Sequence, residues 1–154
     1  MVIIIHTEDI LNLLRSISHR EVAAIEDPDA RYRVEAGTEK MYEINRCVSE
    51  AFSRLYSRCS RWTRATYDHK RDNLPADAGL PENYSIEFVL SERRAINKAE
   101  GLQEAMQTFM VEYALSKFYS IVSQGELSNK HSLLAVDAGN TIDQILYTKQ
   151  PPRL

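Results

Sequence analysis

The chain has 154 residues, 44% of them hydrophobic and 27% charged, which is the profile of one globular domain and excludes an intrinsically disordered protein. Its net charge of −3 argues against general affinity for nucleic acid, and the apolar run Val2 to Ile5 is far shorter than the roughly 20 residues of a membrane-spanning helix. Only two cysteines are present and no secretory signal precedes them, so we expect a protein made inside the cell without a disulfide framework and with no membrane partner.

The first predicted element is a short helix that begins at Thr7. Thr7 is a suitable N-cap, and apolar residues recur behind it at helical spacing: Ile10, Leu11, Leu14 and Ile17. The residues before this helix, Val2 to Ile5, are expected to form a flexible tail. The segment from Glu26 to Gly37 carries Pro28 and crowded charges without periodicity, which indicates a connection.

A long helix is predicted from Thr38 to about Arg64. Its apolar residues recur every three or four positions, as one buried stripe requires: Met41, Ile44, Val48, Ala51, Leu55, Cys59 and Trp62. At 1.5 Å per residue it would be roughly 40 Å long. Prolines and a glycine then interrupt the chain, and the alternation of apolar and polar residues from Tyr84 to Leu90 predicts a short strand or extended segment.

Two more helices complete the predicted fold. The first runs from about Gly101 to Val122, with an apolar stripe of Leu102, Met106, Phe109, Met110, Tyr113, Phe118 and Ile121. Ser123 and Glu126 have the spacing of a capping box, so the second should begin there and end near Tyr147, burying Leu127, Leu134, Ala138, Ile142 and Ile145. We therefore expect a mainly α protein: a single-domain bundle of about four helices over residues 1–154, with one short extended or β segment and a flexible C-terminal tail from Gln150 to Leu154.

One short motif suggests nucleotide chemistry. The run from Leu133 into Asp137-Ala-Gly-Asn-Thr141 resembles the phosphate-binding turn near the start of type III pantothenate kinases. In that fold much more chain must follow the turn, whereas only 13 residues follow Thr141 here, and the same segment also fits helical periodicity. We therefore predict a helix that does not bind ATP. Gly139 costs such a helix about 1 kcal/mol relative to alanine, and a close helix–helix crossing is our interpretation of its presence.

Other catalytic or metal-binding patterns are absent from the sequence. The four histidines stand singly, without a nearby histidine, cysteine or carboxylate at a ligand spacing. Cys47 and Cys59 are separated by 12 residues on the predicted long helix, too far apart to pair, and are interpreted as small core residues. No catalytic, cofactor-binding or metal-binding residue is predicted, and no cofactor.

A stripe of arginines is the one unusual surface feature. Arg54, Arg58, Arg61 and Arg64 share one face of the predicted long helix. Residues 51–75 hold six Lys or Arg and two Asp, a net charge of +4 in a chain whose total is −3. The stripe can be a solvated face, a protein interface or a nucleic-acid contact, and these alternatives stay open. Acidic residues that could face it on a neighbouring subunit are Glu21, Glu26, Asp27 and Asp29.

The order of these elements resembles the small helical head-to-tail adaptor (neck or connector) proteins of tailed phages and prophages. The segments that carry the likeness are "INRCVSEAFSRLYSRC", "FMVEYALSKFYSI" and "TIDQILY", within Thr7 to Tyr147, although the middle from Thr66 to Glu100 is longer than usual. The resemblance implies a non-enzymatic virion structural protein that is present in the host cytoplasm during assembly. It also implies a homo-oligomeric ring, contacts with portal and tail or neck proteins, and nonspecific contact with packaged DNA. The alternatives are a small helical regulator that binds nucleic acid through the arginine stripe, and an enzyme built on Asp137 to Thr141.

Overall fold

The computed structural model describes residues 1–63, 79–90 and 98–147. Within these ranges the elements are β1 (Val2–His6), α1 (Thr7–Val22), α2 (Pro28–Val34), α3 (Met41–Cys59), β2 (Asn83–Glu87), α4 (Ala99–Ile121) and α5 (Gly125–Tyr147). Two single turns of 3₁₀ helix, Thr38–Lys40 and Ser60–Trp62, flank α3. The mainly α fold with a short β segment confirms the sequence-based prediction.

Helix α4 is the centre of the molecule. Its buried residues lie all round the helix instead of along one stripe: Leu102, Ala105, Met106, Phe109, Met110, Val111, Ala114, Leu115, Phe118 and Tyr119. A helix that is apolar on every side must be covered on every side, and α4 packs against α1, α3, α5 and β1. The predicted stripe is right for most of its positions, but Ile121 is exposed because it lies at the end of the helix.

The two strands form an antiparallel pair in which Ile4 lies opposite Ser85. The predicted alternation is confirmed: Tyr84, Ile86 and Phe88 are buried, and from the other strand Ile3 and Ile5 join them. The expectation of a flexible N-terminal tail is therefore wrong. A strand at a chain terminus becomes ordered when it finds a partner and a core, and β1 finds both in residues about 80 positions away.

Three further predictions, two about where helices begin and one about a connecting segment, are corrected by the structure. Strand β1 runs directly into α1, so Thr7 lies inside the helix and its hydroxyl donates to the carbonyl oxygen of Pro81 at 2.6 Å. The segment predicted as a connection contains α2, because Asp27 caps that helix by accepting from the amide of Asp29 at 3.1 Å. Ser123 is not the cap of α5, because it adopts a positive φ of 61° in the turn before that helix.

Candidate functional site: a cationic cleft

A cleft with a volume of about 330 Å³ lies between α3, α4 and α5. We call it the cationic cleft, since three of its lining residues carry positive charge: Arg54 and Arg58 from α3 and Lys117 from α4. Its other lining residues supply ring, methyl and hydroxyl groups: Phe109, Tyr113, Ser116, Ser132, Ala135 and Val136. Such a mixture can hold an anionic group together with an apolar one.

Helical spacing brings the lining residues together. Arg54 and Arg58 are four positions apart on α3, and Phe109 and Tyr113 are four apart on α4, so each pair shares a helix face. The Tyr113 hydroxyl donates to Glu50 Oε1 at 2.9 Å. Burial, and then this hydrogen bond to a carboxylate, raise the pKa of Tyr113, which therefore stays neutral.

Arg58 joins α3 to α5. Its Nε atom lies 3.1 Å from the carbonyl oxygen of Gly139 and 3.1 Å from Asp143 Oδ1, and its Nη2 atom lies 2.9 Å from Asp143 Oδ2. A Cβ atom at position 139 would lie 2.6 Å from Cζ of Arg58. The glycine therefore makes room for a guanidinium group, and our interpretation of a bare helix–helix crossing is corrected.

The arginine stripe does not act as one surface. Arg58 lines the cationic cleft, but its guanidinium group is already paired with Asp143. Arg54 is exposed at the cleft, and Arg61 is exposed with Nη1 3.4 Å from the Tyr147 hydroxyl. Arg64 lies outside the described residues.

The predicted acidic residues also divide into two groups. Glu26, Asp27 and Asp29 are exposed around the start of α2, and we call these three residues the acidic tip. Glu21 belongs to α1 and is largely buried, where Lys130 Nζ lies 2.9 Å from its Oε2 atom. Glu21 is therefore an internal residue, which corrects its place among the candidate interface residues.

His131 is the centre of an ionic cluster that we call the histidine clasp. Its Nε2 atom lies 2.6 Å from Glu21 Oε1 in α1, and its Nδ1 atom contacts a carboxylate oxygen of Glu112 in α4. Carboxylates accept hydrogen bonds, so the two contacts favour hydrogen on both ring nitrogens, which is the imidazolium form. His131 is 1% exposed. A positive charge on its ring is therefore buried, and the carboxylates of Glu21 and Glu112 compensate for it.

The pKa values of the clasp follow from this pairing. Burial alone would lower the pKa of His131, but hydrogen bonds to Glu112 and Glu21 outweigh burial and raise it above its ordinary value. Burial alone would raise the pKa of Glu21, but hydrogen bonds from Lys130 and His131 lower it. This cluster was not predicted from the sequence, because its members come from three helices. The only available signal was the position of His131 on the face of α5 that also carries Ala135 and Ala138.

The remaining predicted features occupy structural positions. Asp137 to Thr141 lie inside α5, where the Thr141 hydroxyl donates to the Asp137 carbonyl oxygen at 3.1 Å, so the prediction of a helix there is confirmed. Cys47 and Cys59 are buried, as expected, and burial raises the pKa of each thiol to about 12. The predicted stripe of α5 is partly wrong, since Leu134 is exposed while His131 and Ala135 face the core.

In the described ranges, no cluster of three or more histidine, cysteine or acidic side chains could hold a metal ion. None of the described helices combines the length and hydropathy that a membrane span requires. No protein-family model, curated protein or solved structure matches the chain.

Proposed function

We propose that this protein is a non-enzymatic structural subunit of a phage-like particle, a head-to-tail adaptor that binds portal and neck proteins and contacts its own copies. The resemblance in element order introduced this function. The supporting observation is the separation of two unlike charged surfaces, the cationic cleft and the acidic tip. A subunit that assembles head to tail requires two different surfaces, whereas a twofold dimer uses the same surface twice.

The charges at the cleft favour a protein partner over nucleic acid. Arg58 already shares its charge with Asp143 at 2.9 Å, and Lys117 lies 3.8 Å from Glu50. Of the three cations, Arg54 is the one that the described carboxylates leave without an ion pair. Binding to a phosphate backbone gains its strength from several unneutralised cations in a row. A cleft with one such arginine and an apolar lining suits a carboxylate on a folded surface instead.

Co-expression with a portal protein, if one is encoded near this chain, tests the proposal. We expect a tagged chain to retain the portal on affinity purification, and electron microscopy to show added density on the portal ring. Arg54→Glu should abolish retention, and Arg20→Glu, an exposed arginine of α1, is the matched control that should leave it intact. Circular dichroism verifies that both variants fold.

Two results would contradict the adaptor function. One is a portal that the wild-type chain fails to retain. The other combines two observations: no portal, terminase or tail genes lie near the gene for this chain, and Arg54→Glu loses only DNA binding. Together these observations would favour the nucleic-acid-binding regulator.

A further inference from the structure

An exposed tyrosine accompanies the acidic tip. Tyr32 follows Asp29 by three positions in α2, so their side chains share one face of that helix. The side chain of Tyr32 is 57% exposed, although aromatic side chains gain most when they are covered. The tip thus presents carboxylates and an aromatic ring side by side. Two arginines flank this ring, and Arg31 and Arg33 donate to the carbonyl oxygens of Glu26 and Asp29. Lys40 Nζ lies 5.4 Å from the ring centroid of Tyr32.

We propose that the cationic cleft binds the acidic tip of a second copy of this chain, with the Tyr32 ring entering the cleft between Phe109 and Val136. This contact deepens the proposed function and rests on it, since it assigns the meeting of like copies to particular residues. Carboxylates of the tip pair with Arg54 and Lys117 at the rim. Tyrosine and arginine are the residues that most often dominate interface energies when they sit in a desolvated pocket.

The dimensions and the surroundings of the cleft fit one aromatic side chain. Its volume of about 330 Å³ is at the lower end of the range for pockets that enclose small molecules. Next to it on α5, Val136 and Leu133 are 53% and 68% exposed, and their spacing of three places them on one face. This apolar edge would be covered by the tip of the second copy, which gives the contact a hydrophobic centre and a charged rim.

The tip of the same copy is held elsewhere. None of the residues that line the cleft comes from α1 or α2. The segment behind the tip is fixed to α1, because His19 Nδ1 lies 2.7 Å from Glu35 Oε1 and the amide of Ala36 donates to Ser18 Oγ at 2.9 Å. A tip that enters the cleft must therefore belong to another copy.

Site-directed disulfide cross-linking between two different variants tests this contact. One copy carries Arg33→Cys beside the tip, and the other carries Ser132→Cys in the cleft. The matched control replaces the second variant by Ser85→Cys, an exposed serine on β2. Cys47 and Cys59 do not interfere, because both are buried with a pKa of about 12.

At low ionic strength we expect the Arg33→Cys and Ser132→Cys pair to cross-link about tenfold faster than the control pair, since a specific contact raises the effective concentration of the two thiols. Tyr32→Ala in the tip copy should reduce the rate to that of the control. Arg54→Glu in the cleft copy should do the same, and Asp29→Arg in the tip copy should restore the rate by exchanging the two charges.

The proposed contact would be contradicted if Arg33→Cys cross-linked at equal rates to Ser132→Cys and to Ser85→Cys. It would also be contradicted if neither Tyr32→Ala nor Arg54→Glu changed the cross-linking rate. If the chain retains the portal but cross-links equally at both positions, the adaptor proposal stands and the proposed contact is wrong. If cross-linking is specific but the chain does not retain the portal, the proposed contact stands and the adaptor proposal is wrong.

Discussion

The guanidinium group of Arg58 occupies the space that a side chain at position 139 would need, with its Nε atom 3.1 Å from the Gly139 carbonyl oxygen. A helix interior normally disfavours glycine by about 1 kcal/mol relative to alanine. Here the glycine permits an arginine of α3 to reach both the backbone of α5 and the carboxylate of Asp143. The destabilising effect of one residue within its helix is thus offset by a contact between helices.

The effect of Gly139→Ala should depend on Arg58. In the wild-type background the new methyl group would lie 2.6 Å from Arg58 Cζ, so the arginine must move away and lose its bonds to α5. That loss of about 1 kcal/mol should cancel the gain of about 1 kcal/mol in helix propensity, and we expect little net change. In the Arg58→Ala background the same change should stabilise the protein by about 1 kcal/mol, the helix-propensity difference. Urea unfolding of the four variants measures this cycle.

Additive effects in that cycle would show that the two residues do not interact. Arg58→Ala by itself should destabilise the protein by about 1 kcal/mol, because it removes the bonds to Gly139 and Asp143. Arg20→Ala, which alters an exposed arginine on α1, is the control and should change stability by less than about 0.5 kcal/mol.

The core of the bundle should respond strongly to truncation. Leu55 on α3 and Phe109 on α4 are both buried. Leu55→Ala and Phe109→Ala should each lower the free energy of unfolding by about 2 to 5 kcal/mol through lost burial and the resulting cavity. Leu133→Ala, at a 68% exposed position, should cost less than about 0.5 kcal/mol, and a comparable loss there would contradict the orientation of α5.

The histidine clasp predicts a particular pH dependence. The pKa of His131 is raised from its ordinary value of 6.5, so its contribution is complete below pH 6.5 and is lost as pH rises through the folded-state pKa. The pKa of Glu21 is lowered from its ordinary value of 4.5, so its contribution is complete above pH 4.5 and is lost as pH falls through the folded-state pKa. The clasp should therefore stabilise the fold most between these two values.

Unfolding experiments on His131→Gln across the pH range test this dependence. The stability difference from wild type should be largest between pH 4.5 and 6.5 and should narrow as pH rises, because the imidazolium proton is then lost from the wild type. Proton NMR of the His131 ring should report a pKa above 6.5. His6→Gln is the control, since His6 is exposed and its Nδ1 atom faces the uncharged side-chain amide of Asn83, and a flat difference for His131→Gln would argue against a charged ring.

We expect no binding of Mg-ATP. The backbone amides of Asp137 to Thr141 are used within α5, so they cannot form the loop that wraps a phosphate group. Isothermal titration calorimetry should show no heat of binding with the wild-type chain. Micromolar affinity that is lost in Asp137→Ala would revive an enzymatic function and contradict the adaptor proposal.

Most of the helices and most of the core could be predicted from the sequence, because these depend on local periodicity. The spacing of Ile44, Val48 and Leu55 defined the buried face of α3, and the alternation through Tyr84 and Ile86 defined β2. The cap that Asp27 provides to α2, which is a short signal, was not predicted from the sequence, and neither was β1, whose partner strand lies about 80 positions away.

The candidate site depended on tertiary structure, because each of its parts is assembled from distant segments. The sequence grouped Arg54 with Arg58 on one helix face. Only the packing of α3 and α5 against α4 brings Arg58 to Asp143, 85 positions away, and leaves Arg54 at the cleft. Likewise, Glu21 and His131 are separated by 110 positions. Spacing along a chain specifies which residues share a face, whereas the neighbour of that face is decided by how the helices pack.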